Sequence, residues 1–164
     1  MKAACLRNSS LPGASQLFSH FLYDFERVRR FYGESYLDPA AFSAAASQIR
    51  FPDDRRAAIV EALREQNGDS DSLRRLAQPG TVAVVTGQQV GLFGGPAYTI
   101  YKALTAVALA ERLTTQGIEA VPVFWLATED HDFAEINHAY SFDAPHQPHR
   151  LSVDGEPTAP TPVG

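Results

Sequence analysis

Cysteine, methionine and tryptophan occur once each in this 164-residue chain, and lysine only twice, at Lys2 and Lys102. The single cysteine, Cys5, has no partner for an internal disulfide, so a reducing cytoplasm is the expected setting. No apolar run approaches the ~20 residues needed to cross a bilayer. The opening stretch, Met1 to Arg7, lacks the apolar core of a secretion signal, and no membrane association is expected. Basic residues are scarce in the second half. Residues 81–164 hold 3 Lys/Arg against 9 Asp/Glu, while residues 1–80 hold 11 against 10, for a formal net charge of -5. Such an acidic half repels nucleic-acid phosphates, so DNA or RNA is not expected as a partner. No internal repeat is visible. What is present is an ordinary globular composition, 45% hydrophobic and 20% charged, which excludes a disordered, collagen-like or disulfide-stapled chain.

The first 80 residues read as helical. Ser15 is a candidate N-cap for a helix through Tyr32, with Leu17, Phe18, Phe21, Leu22, Phe25, Val28, Phe31 and Tyr32 on one stripe. Asp38-Pro39 pairs an N-cap with a proline at the first helical position, and Phe51-Pro52 ends that helix. A third helix is expected over Asp53 to Gln66, stopping at Asn67-Gly68, with Ile59, Ala62 and Leu63 inward and Arg55 and Arg56 in water. A short helical piece covers Leu73 to Ala77. The aromatic stripe is read as ordinary core.

The texture changes at Thr81. Thr81 to Val85 is a continuous β-branched run, which suits a strand covered on both faces. The glycine-rich stretch Thr86 to Pro96 follows, then a helical pattern from Ala97 to Thr115 with Ile100, Leu104, Val107, Ala108 and Leu113 as its apolar face. Ala120 to Ala127 reads as a second strand, so the segment forms one right-handed βαβ unit. His138–Phe142 and His149–Val153 are candidate short strands, and residues 154–164 a proline-rich irregular tail. The expected organisation is thus a helical segment over 1–80, an α/β core over 81–153, and the tail. Two or three strands are few for a sheet, which usually has ~4–6. The chain is therefore expected to be the front of a larger protein, or to need a partner over its sheet edge.

Two segments carry candidate chemistry. A loop after a parallel strand lies at the carboxyl end of the sheet, where open α/β folds bind ligands. Gly87, Gly91, Gly94 and Gly95 match neither G-x-G-x-x-G nor the Walker A spacing. They still allow close approach of backbone to ligand, and Gln88 and Gln89 offer both donors and acceptors. Lys102, inside the following helix, can lean back toward its start and steady an anion; the alternative is a solvated surface lysine. The second segment, Thr128 to His138, leaves the second strand at the same edge. Asp130 and Asp132 flank His131 and can orient its ring for general acid–base work, or hold Mg²⁺ through oxygen. His138, His146 and His149 add no strong zinc spacing, and no resident metal is expected.

Taken together, Thr86-Gly87-Gln88-Gln89-Val90-Gly91-Leu92-Phe93-Gly94-Gly95-Pro96-Ala97-Tyr98-Thr99-Ile100-Tyr101-Lys102, then Pro122-Val123-Phe124-Trp125 and Glu129-Asp130-His131-Asp132-Phe133-Ala134-Glu135-Ile136-Asn137-His138, resemble the bacillithiol biosynthesis cysteine-adding enzymes, BshC. The resemblance is strongest over residues 81–142. It implies a partial Rossmann-like parallel sheet, similar to nucleotidyltransferases, preceded by a helical segment. A long coiled-coil arm would follow later in a chain several-fold longer. It implies a ligase that joins cysteine to glucosaminyl-malate, a homo-oligomer at full length. ATP or ADP is a reasonable cofactor, since amide formation needs an activated carboxylate. On this reading Asp130, His131 and Asp132 handle the amine, and Thr86, Gly87, Gln88, Gln89, Gly91, Gly94, Gly95, Lys102, Glu129, Asn137 and His138 bind substrate or cofactor. One departure is Gly94, where the family often has threonine. Two other readings stay open: a binding module that has lost the reaction, and a metal-dependent hydrolase using Asp130, His131, Asp132 and His138.

Overall fold

Ser15 does start the first helix, but the helix does not run to Tyr32. In the computed structural model, which describes residues 5–129 and 133–155, the Ser15 hydroxyl accepts from the Phe18 amide at 3.1 Å and caps α1, Gln16–Tyr23. Asp24 then leaves helical geometry (φ -149°, ψ 63°), and the chain resumes as a 3₁₀ turn over Phe25–Arg27 and a short helix α2, Arg29–Tyr32. The break has a packing reason. Residues eleven apart on a straight helix are ~16 Å apart along its axis, yet the Phe21 and Tyr32 rings meet with centroids at 4.8 Å. Phe21 also touches Phe25 and stacks on Tyr36. Helix α3, Pro39–Gln48, is capped by Asp38, whose Oδ1 accepts from the Ala40 amide at 2.9 Å.

Backbone packing divides the chain between Ile49 and Arg50, not at residue 80. Helices α4, Asp53–Asn67, and α5, Asp71–Leu76, belong with the sheet-bearing unit. The reason is a small core in which Val60, Leu73 and Leu76 close on Val121, with Leu63 at its margin. The buried face of α4 is therefore Arg56, Val60 and Leu63, while Ile59 and Ala62 are exposed. Arg56, expected in water, is 8% exposed. One of its guanidinium nitrogens donates to the carbonyls of Leu76 (2.8 Å) and Thr81 (3.0 Å). It thus serves the open carbonyl end of α5 and ties it to the start of the sheet. Arg75 makes the matching tie to the second strand, donating to Glu119 at 2.5 Å and to the Ala120 carbonyl at 2.9 Å.

Strand β1 is Val82–Gln89 and strand β2 is Ala120–Ala127, joined through helix α6, Tyr98–Thr115. They pair in parallel, Val82 opposite Ala120 through Gln89 opposite Ala127. The fold is α/β, as expected. Thr86 to Gln89 extend β1 instead of forming a loop. Helix α6 packs on both strands through Ala106, Ala110 and Leu113. Ile100 (65%) and Leu104 (57%), expected inside, are exposed. The helix carries two apolar stripes, and the one with small side chains lets it lie close to the sheet. A one-turn helix α7, Phe133–Ile136, leads to an antiparallel hairpin of β3, His138–Phe142, and β4, Pro148–Ser152. Among the described residues no helix is long and apolar enough to cross a membrane.

Candidate functional site

Parallel pairing brings the carboxyl ends of β1 and β2 to one edge, so the chains leaving Gln89 and Ala127 emerge side by side. At that edge Gly87 of β1 lies close against Trp125 of β2. A Cβ on Gly87 would lie 2.7 Å from the Trp125 carbonyl oxygen and 2.9 Å from the Trp125 Cβ. The turn that follows is wound tightly. Phe93, Gly94 and Gly95 have φ of 54°, 85° and 77°, and a Cβ on Gly91 would meet the Gly95 Cα at 3.0 Å. Glycine is required here for backbone shape. The Gly94 amide donates to the Gly91 carbonyl (3.0 Å) and the Gly95 amide to the Leu92 carbonyl (3.1 Å). Those donors are engaged inside the turn.

Lys102 reaches back along α6, as side chains on a helix lean. Its ammonium donates to Gln88 Oε1 at 2.8 Å and to the Gly87 carbonyl at 3.3 Å, and sits 5.1 Å from the centroid of the Tyr98 ring. The expected anion-steadying lysine is thus held against the protein's own strand.

Between the glycine turn and the hairpin lies a cleft of about 580 Å³. One wall is Gln88, Gln89, Gly91, Gly95, Pro96, Ala97 and Tyr98; the other is Glu135, Ile136, His138, Ala139 and Tyr140. His138 Nδ1 stands 3.1 Å from Asn137 Oδ1, and its ring meets the Tyr140 ring edge-on at 5.6 Å. Asn137 is itself anchored, donating its amide to the Phe133 carbonyl and accepting from Val153 at 2.8 Å.

Of the expected site residues, Gln88, Gln89, Gly91, Gly95 and His138 line this cleft. Lys102 and Asn137 stand behind it, each bonded to a lining residue. Thr86 and Gly87 lie farther down β1, Gly94 sits in the turn, and Glu129 is exposed; none of these four lines the cleft. Asp130, His131 and Asp132 lie outside the described residues. Sequence reasoning did not single out Tyr98, Glu135 or Tyr140. Each carried a signal: Tyr98 opens the helix after the glycine turn, Glu135 sits inside the acidic segment, and Tyr140 follows His138 at the two-residue spacing of one strand face. Among the described residues, no group of three His, Cys, Asp or Glu side chains converges to hold a metal ion.

A family model described as bacillithiol biosynthesis BshC, N-terminal Rossmann-like domain, matches residues 1–164. The chain is 54% identical over 153 residues to a protein of Solibacter usitatus named "Putative cysteine ligase BshC", covering 93% of this chain and 29% of the relative. It is 35% identical over 165 residues to the protein of that name from Koribacter versatilis, covering 97% and 31%. With the one from Salinibacter ruber it shares 40% identity over 141 residues, 80% of this chain and 26% of the relative. The chain thus spans less than a third of the length of these curated relatives.

Proposed function

The chain belongs to the bacillithiol biosynthesis BshC family, matching its N-terminal Rossmann-like domain, and from this premise we propose that it is the front part of a ligase that joins cysteine to glucosaminyl-malate. The observation that carries the reading is the cleft at the carboxyl ends of β1 and β2, where the glycine turn and the segment after β2 supply opposite walls. Its polar groups suit small molecules dense in hydrogen-bonding atoms. Gln88, Gln89, Glu135 and His138 line it together with Tyr98 and Tyr140. The ligase works in the cytoplasm and assembles as a homo-oligomer at full length.

Amide formation requires an activated carboxylate and an amine free of its extra proton. Asp130, His131 and Asp132 are the groups we assign to the amine, because an ammonium must lose a proton before it can attack. ATP or ADP is the cofactor we assign to activation. The turn after β1 does not fit a phosphate cradle, since the Gly94 and Gly95 amides and the Lys102 ammonium are engaged within the chain. The nucleotide is therefore to be held by other residues.

The test is production of bacillithiol in cells that depend on the full-length protein, with His131→Ala against wild type. Loss of the thiol with accumulation of glucosaminyl-malate is expected. Unchanged product with His131→Ala would remove that side chain from the chemistry, and no product from the wild-type protein would remove the ligase reading.

A further inference from the structure

We propose that Lys102 is a positioning residue that locks the Gln88 side-chain amide with its N–H donors toward the cleft, and that Gln88 there grips a carboxylate group of the ligand. Whether an amide shows its oxygen or its nitrogen to a neighbour is normally ambiguous, because the two ends have nearly the same shape. Here chemistry removes the ambiguity. An ammonium has three donors and no acceptor, so the 2.8 Å contact from Lys102 Nζ can only be to Oε1. The ammonium is held in place by the Gly87 carbonyl at 3.3 Å and by the Tyr98 ring. With Oε1 taken, Nε2 is the end of the amide left for the cleft that Gln88 lines. The contact fixes which end of the amide is turned to Lys102 and leaves the N–H donors as the end offered to the cleft.

On the far wall His138 lines the same cleft, with its Nδ1 3.1 Å from Asn137 Oδ1. A ligand fits when a carboxylate oxygen meets the Gln88 N–H donors and a second polar group faces His138 across the cleft. Cysteine and the malyl group both carry a carboxylate and a second polar group. Lys102 reaches the ligand only through Gln88, as a charge that polarises the amide.

The choice of probes rests on the ligase reading; the lock itself does not. Binding of L-cysteine, L-malate and cysteamine, which lacks the carboxylate, is to be measured by calorimetry or NMR titration on the chain. Gln88→Glu keeps the shape and the partner of Lys102 but replaces the donors with an acceptor. Its melting temperature should stay level or rise, while affinity for L-cysteine or L-malate falls about tenfold or more. The probe that loses affinity identifies which carboxylate is held, and cysteamine binding should not change. Lys102→Met should weaken the same probe and Lys102→Arg, also a pure donor, should restore it. Unchanged affinity for both carboxylates in Gln88→Glu, no binding of either to wild type, or full affinity in Lys102→Met would each overturn the proposal. Bacillithiol synthesis by the full-length protein reads out separately. Product formed while Gln88→Glu binds normally would sink the carboxylate grip and leave the ligase. The expected binding pattern without any product would do the reverse.

Discussion

Gly87 offers the sharpest structural test, because its neighbours cannot move aside cheaply. A methyl there would stand 2.7 Å from the Trp125 carbonyl oxygen and 2.9 Å from the Trp125 Cβ. The carbon–carbon separation is roughly 0.6 Å short of the ~3.5 Å at which carbon atoms rest against one another. Both atoms belong to the residue paired with Gly87 in the parallel ladder, so relief requires the strands to part at the site end of the sheet. Overpacking of this kind costs about 1–3 kcal/mol. For a chain of this size that corresponds to a fall in melting temperature of roughly 2–10 °C. Trp125 is the only tryptophan and is 58% exposed, so its fluorescence reports directly on the perturbed pair during a thermal melt. Gly117→Ala is the control. Gly117 has φ of 84° and open space around it, so an alanine there meets conformational strain without a clash and should leave the Trp125 emission unmoved. A Gly87→Ala protein that melts within about 1 °C of wild type, with unshifted emission, would refute the close-approach argument.

Two further outcomes follow from the packing and the charges. Arg56→Met should leave the Leu76 and Thr81 carbonyls without their buried donor, at a cost of about 2–4 kcal/mol in urea unfolding; Arg56→Lys should recover only part of it, since one ammonium lacks the planar fork. A change under about 0.5 kcal/mol, the scale of an ordinary surface substitution, would contradict the bridging role. In the first unit, Arg29 holds the Glu26 carboxyl below its ordinary value, first by hydrogen bonding and then by charge. A depressed folded value means the contribution is present above the ordinary 4.5 and lost as pH falls through the folded value. The effect is small, because the pair is exposed to solvent. Helical content around α2 should therefore be flat above pH 4.5 and decline below it, and Glu26→Gln should remove its share of that acid-side decline.

The elements were legible wherever one local rule decided them. Ser15 and Asp38 cap helices at the positions their side chains dictate, and the β-branched run and the apolar run from Ala120 became the paired strands. Three kinds of feature escaped. Periodicity could not choose between two apolar stripes on α6, because the choice depends on how closely a helix can approach a sheet. It could not see the break at Asp24, which is fixed by ring contacts around Phe21. Nor could it predict that Arg56 would turn inward, since that depends on carbonyls 20 and 25 residues away. At the site, the residue types were legible but their division of labour was not. Gln88 and His138 face the cleft, whereas Lys102 and Asn137 act on those two side chains.

That division has a physical logic. Amide and imidazole groups are ambivalent: each can donate or accept, and a ligand meeting an unlocked one must first select its orientation. One such group in this cleft, the Gln88 amide, is backed by a partner that removes the choice, the Lys102 ammonium. A directly exposed lysine would instead attract any anion, phosphate included, with little regard to shape. Placing the charge one bond network away keeps some of its pull and transfers the geometric demand to a planar amide, which suits a planar carboxylate. In a half of the chain with only 3 basic residues, the single lysine is more useful as the setter of a donor than as the donor itself.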